Sequence, residues 1–204
     1  RGDAVRPADS PWHTQRLNTT VVLDGASPEI VERRRIVSHQ DGLTLVDLAV
    51  TVSAADGSVA ESTDLGVDVL WGGTLVRTLM ESSHGIGIAL ELAEPLAQAQ
   101  HAEFAVRYRI LDDKPIRPHH VCVPRYRCDR FDLRVRFGRD QPPRAVWRLT
   151  GAFQNDIDDP AEVGEIVAVD GAGEVHVRFD DLKPGFAYGA RWEHSGLSDI
   201  AGVG

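Results

Sequence analysis

Successive side chains of a β-strand point to opposite faces, so a chain that alternates oily and watery residues is committed to sheets with one buried and one wetted face. This chain does so repeatedly. Phe104, Val106, Tyr108 and Ile110 alternate with Glu103, Arg107 and Arg109. Phe131, Leu133, Val135 and Phe137 alternate with Arg130, Asp132, Arg134 and Arg136, and Val175, Val177 and Phe179 with Glu174, His176 and Arg178. Phe186, Tyr188, Ala190 and Trp192 keep the same phase. Further strands are expected at 19–23, 32–38, 43–53, 67–70, 74–80, 86–92, 121–124 and 144–150, separated by turn-forming pairs such as Asp41-Gly42, Gly72-Gly73 and Pro184-Gly185. The fold class expected is all-β, built of antiparallel sheets. Helix signal is confined to 95–102, one or two turns opened by Pro95. No apolar stripe at helical spacing lasts 12 residues, so no helix-turn-helix is encoded within these 204 residues.

An alternating strand, a proline corner and a second alternating strand ending in an aromatic occur twice. Ile86 to Leu92 leads through Pro95 to Phe104 and Tyr108, and Val175 to Phe179 leads through Pro184 to Tyr188 and Trp192. The echo divides the chain into two β-sandwich-like lobes, 12–112 and 113–194, with a join at 112–118 and a loose tail at 195–204; one large sandwich is the alternative. Apolar residues make up 42% of the chain, enough for a packed core, and no apolar run approaches the roughly 20 residues of a membrane helix. Two cysteines do not make a disulfide scaffold, and a reducing, cytoplasmic setting is expected. The chain starts at Arg1 without Met or leader and is expected to belong to a longer gene product.

Leu182-Lys183-Pro184-Gly185-Phe186-Ala187-Tyr188 resembles the Leu-x-Pro-Gly-x-x-Tyr segment of fibronectin type III modules. That resemblance implies an immunoglobulin-like sandwich for the second lobe, with the Tyr188 hydroxyl bonding back to the chain at a corner between two sheets. The run from Cys128 through Trp147 to Tyr188-Gly189-Ala190-Arg191-Trp192 is similar to the C-terminal regions, outside the DNA-binding part, of some actinobacterial helix-turn-helix regulators. It implies the sensory or protein-interaction portion of a larger regulatory protein, with a DNA-binding segment N-terminal to it.

The residues themselves offer two chemical candidates. His119, His120, Cys122 and Cys128 carry zinc-ligand chemistry, although their spacing matches no standard finger. Adjacent histidines on a strand face opposite ways, so Cys122 is expected to share a face with His120 and not with His119. The second candidate is basic. Between Arg107 and Arg148 twelve basic residues stand against five acidic ones, whereas 155–181 holds nine acids against Arg178. Outward arginines on adjacent strands form a surface for a phosphate, a carboxylate or an acidic partner, unless local Asp and Glu neutralise them. Arg33-Arg34-Arg35 falls on a strand, where Arg34 faces opposite to the other two.

Other constellations lack their defining partners. Gly85-Ile86-Gly87 has no third glycine and opens no helix, no Gly-x-Ser-x-Gly elbow anchors a Ser-His-Asp triad, and Asp156-Ile157-Asp158-Asp159 lacks calcium-loop spacing. No cofactor is expected. A formal charge of -9 argues against direct nucleic-acid contact by this fragment. The reading that results is a non-catalytic sensory or interaction domain whose small-molecule or protein partner sits at the lobe junction, with Arg107, Arg109, Arg134 and Arg136 as contacts. Two other classes compete with it. One is a metal-dependent hydrolase on the His119/His120/Cys122/Cys128 cluster, the other a carbohydrate-binding or adhesive module.

Overall fold

The computed structural model describes residues 10–24, 27–51, 65–82, 85–110, 117–139, 141–153, 156–157 and 164–194. The expected tail at 195–204 and most of the expected join, 112–116, lie outside them. The described residues form an all-β fold of thirteen strands. These are β1 (Trp12–Val22), β2 (Glu29–Ser38), β3 (Leu43–Thr51), β4 (Leu65–Trp71), β5 (Gly73–Ser82), β6 (Gly85–Leu96) and β7 (His101–Ile110) in the first lobe. The second holds β8 (His119–Cys122), β9 (Cys128–Arg136), β10 (Pro143–Ala152), β11 (Glu165–Ile166), β12 (Glu174–Leu182) and β13 (Ala187–His194).

The sequence period reappears as burial. Phe104, Val106 and Tyr108 of β7, Phe131, Leu133 and Val135 of β9 and Val175, Val177 and Phe179 of β12 are buried, and of the residues between them all but the small Ala105 reach the surface. These strands meet in one six-stranded sheet of order β12-β9-β1-β2-β7-β4. A three-stranded sheet, β3-β6-β5, approaches its β7 and β4 end, and a four-stranded sheet, β11-β10-β13-β8, approaches its β12 end. The long sheet draws β1, β2, β4 and β7 from one stretch of the chain and β9 and β12 from the other, and the two smaller sheets lie against it. Their inner faces contribute to one buried cluster that includes Leu17, Ile88, Leu90, Phe104, Phe131, Phe179 and Trp192.

The junction departs from the antiparallel expectation. β1 pairs with β9 in parallel, Leu17 opposite Phe131 and Val21 opposite Val135, whereas every other described pairing is antiparallel. Strands joined by a tight turn must run antiparallel. β1 and β9 are separated by the whole first lobe, so no turn dictates their direction.

The helix expected at 95–102 does not form. Pro95 lies exposed near the end of β6, within a register irregularity where its missing N–H leaves no regular ladder bond unmade, and 98–99 form the turn into β7. Close approaches between strands require glycine at several positions, Gly72 and Gly189 among them. A Cβ at Gly72 (φ +86°) would strike the Glu103 carbonyl of β7, and one at Gly189 would strike the His120 carbonyl of β8. The corner from the six-stranded to the four-stranded sheet is fixed by Tyr188, whose hydroxyl accepts the Lys183 N–H at 3.0 Å.

Candidate functional site

The lobe junction has a wet outer side and a dry inner side, and β2 supplies arginines to both. Ile30, Glu32, Arg34 and Ile36 are buried, whereas Arg33 and Arg35 are exposed. Arg34 Nη2 donates to Glu32 Oε2 at 3.3 Å, and Arg34 Nη1 reaches Thr14 Oγ1 at 3.5 Å. Burial works against the charge of Arg34, but Glu32, with Cys122, Cys128 and Tyr108, outweighs it and raises its pKa. Burial pushes the Glu32 carboxyl up, and Arg34 offsets part of that shift. Arg34 Nε, Tyr108 Oη and Thr19 Oγ1 find no hydrogen-bond partner among the described residues.

Above Arg34, the edges of β3 and β8 come side by side. A cavity of about 30 Å³ lies there, bordered by Thr14, Arg34, Asp47, Cys122, Tyr126 and Cys128 among others. Both cysteines are free thiols. Burial drives the Cys122 pKa far above the usual thiol range and pushes Cys128 up to about 11, which suppresses thiolate, the reactive form. His120 faces inward from β8, and burial, aided by His119, lowers its pKa to about 4. His119 lies on the other face of β8, the face on which Val121 packs with Leu149 and Ile157. The four expected metal ligands therefore do not converge. Among the described residues no group of three or more His, Cys, Asp or Glu is placed to hold an ion.

On the outer side, the four expected arginine contacts are spread along the sheet and paired locally. Arg107 and Arg109 both reach Asp68 Oδ2, at 3.1 and 2.9 Å, and the Arg107 hydrogen bond, with the nearby Arg109 charge, holds that carboxyl below the usual range. Arg134 meets Glu174 at 3.7 Å and Arg136 meets Asp24 at 2.8 Å. β9 and β7 are three strand spacings apart, about 14 Å, so the two arginine pairs do not share one ligand site.

The concave feature at the junction has other walls. A depression of about 470 Å³ lies over β9, β1, β2 and β7, lined by Gln15, Arg16, Asn18, Arg33, Arg35, Glu103, Asp129 and Arg130. A β-bulge in β1 contributes to it. Thr14 and Leu17 both point inward, and the register against β2 slips between Thr14 and Arg16, so two consecutive side chains, Gln15 and Arg16, occupy the outer face where regular pleating allows one. Arg33 donates to Glu103 at 2.8 Å, Arg35 lies 3.8 Å from it, and Arg33 holds the Glu103 carboxyl below its ordinary pKa. Arg130 reaches Asp180 at 3.1 Å and Asp129 is gripped by Arg127 at 2.6 Å.

Behind Asp129, His13 Nε2 lies at 3.4 Å, His13 Nδ1 meets His39 Nε2 at 2.6 Å, and His39 Nδ1 meets the Ser10 carbonyl at 2.9 Å. Burial lowers the His13 pKa, opposed by Asp129. Sequence alternation indicates neither the bulge nor this chain of contacts. The signal available for the bulge is the broken phase Trp12, Thr14, then Leu17, Thr19, Val21.

No protein-family model matches the chain, and no curated protein matches it. Among solved structures it is similar to an M1 zinc metallopeptidase from Deinococcus radiodurans, at 12% identity and a TM-score of 0.48, over 90% of this chain and 43% of that one. It is also similar to a two-domain M1 zinc metallopeptidase bound to tryptophan, at 10% identity and a TM-score of 0.46, again over 90% of this chain and 43% of the other. The chain spans less than half the length of these neighbours.

Proposed function

We propose that the chain is a non-catalytic binding module, the sensory or protein-interaction part of a larger bacterial regulatory protein with an N-terminal DNA-binding segment. Its ligand or partner is received on the outer face of the six-stranded sheet. The observation that carries this reading is the junction depression, which gathers four guanidiniums and two carboxamides on rigid strands. The inner side of the junction has the opposite character, since its thiols and imidazole are held neutral and packed. His119 lies on the opposite face of β8 from His120 and Cys122, which counts against the hydrolase reading. Trp71 favours the carbohydrate-binding alternative in one respect: it is 43% exposed beside the depression, with the Arg33 guanidinium 5.5 Å from its ring centre.

Charge reversal of Arg33 and Arg35 to Glu in the intact gene product tests the reading. The host transcript profile is expected to match that of a strain lacking residues 10–194, with the variant protein folded and at normal abundance. A profile indistinguishable from wild type would contradict it.

A further inference from the structure

Of the three polar side chains that β1 sends into the depression, Gln15 and Asn18 are uncommitted and Arg16 meets Glu103 only through its charge. Gln15, Arg16 and Asn18 make no side-chain hydrogen bond or ion pair among the described residues, although each lines the concavity. Two of them are there because of the bulge, which spends one residue of extra chain to place a carboxamide and a guanidinium side by side. The carboxylates present are already engaged, Glu103 by Arg33 and Arg35, and Asp129 by Arg127 and His13. Four lining arginines against two lining acids leave two positive charges uncompensated. At the rim Arg127 and Arg178 are balanced by Asp180 and by Asp132, which lies opposite Asn18, so the excess of two stays cationic. A space of about 470 Å³ falls within the range occupied by small organic ligands.

We propose that this depression is a receptor site for a small organic dianion, a phosphate monoester or a dicarboxylate, with its charged oxygens on Arg16, Arg33 and Arg35 and its polar body against Gln15 and Asn18. The assignment rests on the outer face being the binding face, and it adds the chemistry of the occupant. Planar guanidinium forks suit both anion types, because each presents paired oxygens to parallel N–H donors.

Isothermal titration of the purified chain at constant ionic strength, with glycerol 3-phosphate, succinate and uncharged glycerol as probes, tests it. Saturable one-to-one binding of at least one dianion is expected, with none for glycerol; binding of only one assigns the site to the phosphoryl or the dicarboxylate class. Arg16→Gln is expected to weaken that binding at least tenfold at an unchanged melting temperature, and Arg107→Gln to alter it less than twofold. Absence of saturable binding by both dianions in folded protein, or an Arg16→Gln variant that binds as wild type does, would overturn the proposal. If both dianions fail while charge reversal of Arg33 and Arg35 still abolishes the regulatory response, the occupant is wrong and the binding face stands.

Discussion

Arg34 and its neighbours Arg33 and Arg35 differ by one residue in sequence and by the thickness of a sheet in space. Arg34 is sealed in the sandwich against Glu32, whereas Arg33 and Arg35 share Glu103 in water. The same side chain is therefore part of the architecture on one face and a solvated charge, available to the proposed site, on the other. An ion pair out of water leaves a costly orphan charge when one partner is removed, while a wetted pair leaves two solvated groups. This difference orders the expected responses to substitution.

The largest effect is expected inside. Glu32→Leu alone should destabilise the protein by about 3–5 kcal/mol in urea titration, because Arg34 keeps its buried charge without a counter-ion. Pairing it with Arg34→Met should recover most of that loss. A double variant as unstable as the single one would mean that the pair is needed for packing beyond its charge balance.

The next effect is a pH dependence from His120. Its folded pKa, about 4, lies below the ordinary 6.5, so between these values the unfolded chain takes up the proton and the folded chain does not. Its contribution to stability is fully present above pH 6.5 and falls by roughly 3 kcal/mol as the pH drops to about 4. Denaturant midpoints across that window should show the slope, and a His120→Leu variant should lose most of it, the remainder coming from His13, whose pKa burial also lowers. Third in size, Tyr188→Phe removes the acceptor for the Lys183 N–H at the sheet corner, at a cost of about 1 kcal/mol by thermal melting. On the outer face, Arg107→Gln should leave the denaturation midpoint close to that of the wild type, since Asp68 retains Arg109 and both groups are solvated. A loss comparable to that of Glu32→Leu would erase the distinction between the faces.

The alternation of β7, β9 and β12 was legible because one oily face against one wet face leaves a mark at every second residue. The shared face of His120 and Cys122 followed from the same rule. The rule also separates Arg34 from Arg33 and Arg35, but the buried role of Arg34 shows only in its phase with Ile30 and Ile36, and its polarity disguises that phase. Partner choice leaves no local trace. Nothing near Leu17 announces that it lies opposite Phe131, so the parallel seam between the lobes could not be read from either strand. The site suffered for the same reason. The junction was the expected location, but the arginines singled out sit on strands that the finished sheet holds apart, while Arg16 reaches the depression through a bulge that a strict two-residue period does not generate.

The contrast between the faces can be seen in one experiment, a nitrogen–proton spectrum of the arginine Nε–H groups recorded while glycerol 3-phosphate or succinate is added. Saturable shifts are expected at Arg16, Arg33 and Arg35 with the Arg34 resonance stationary. A moving Arg34 resonance with the three outer arginines unchanged would place recognition inside the sandwich and contradict the proposed site.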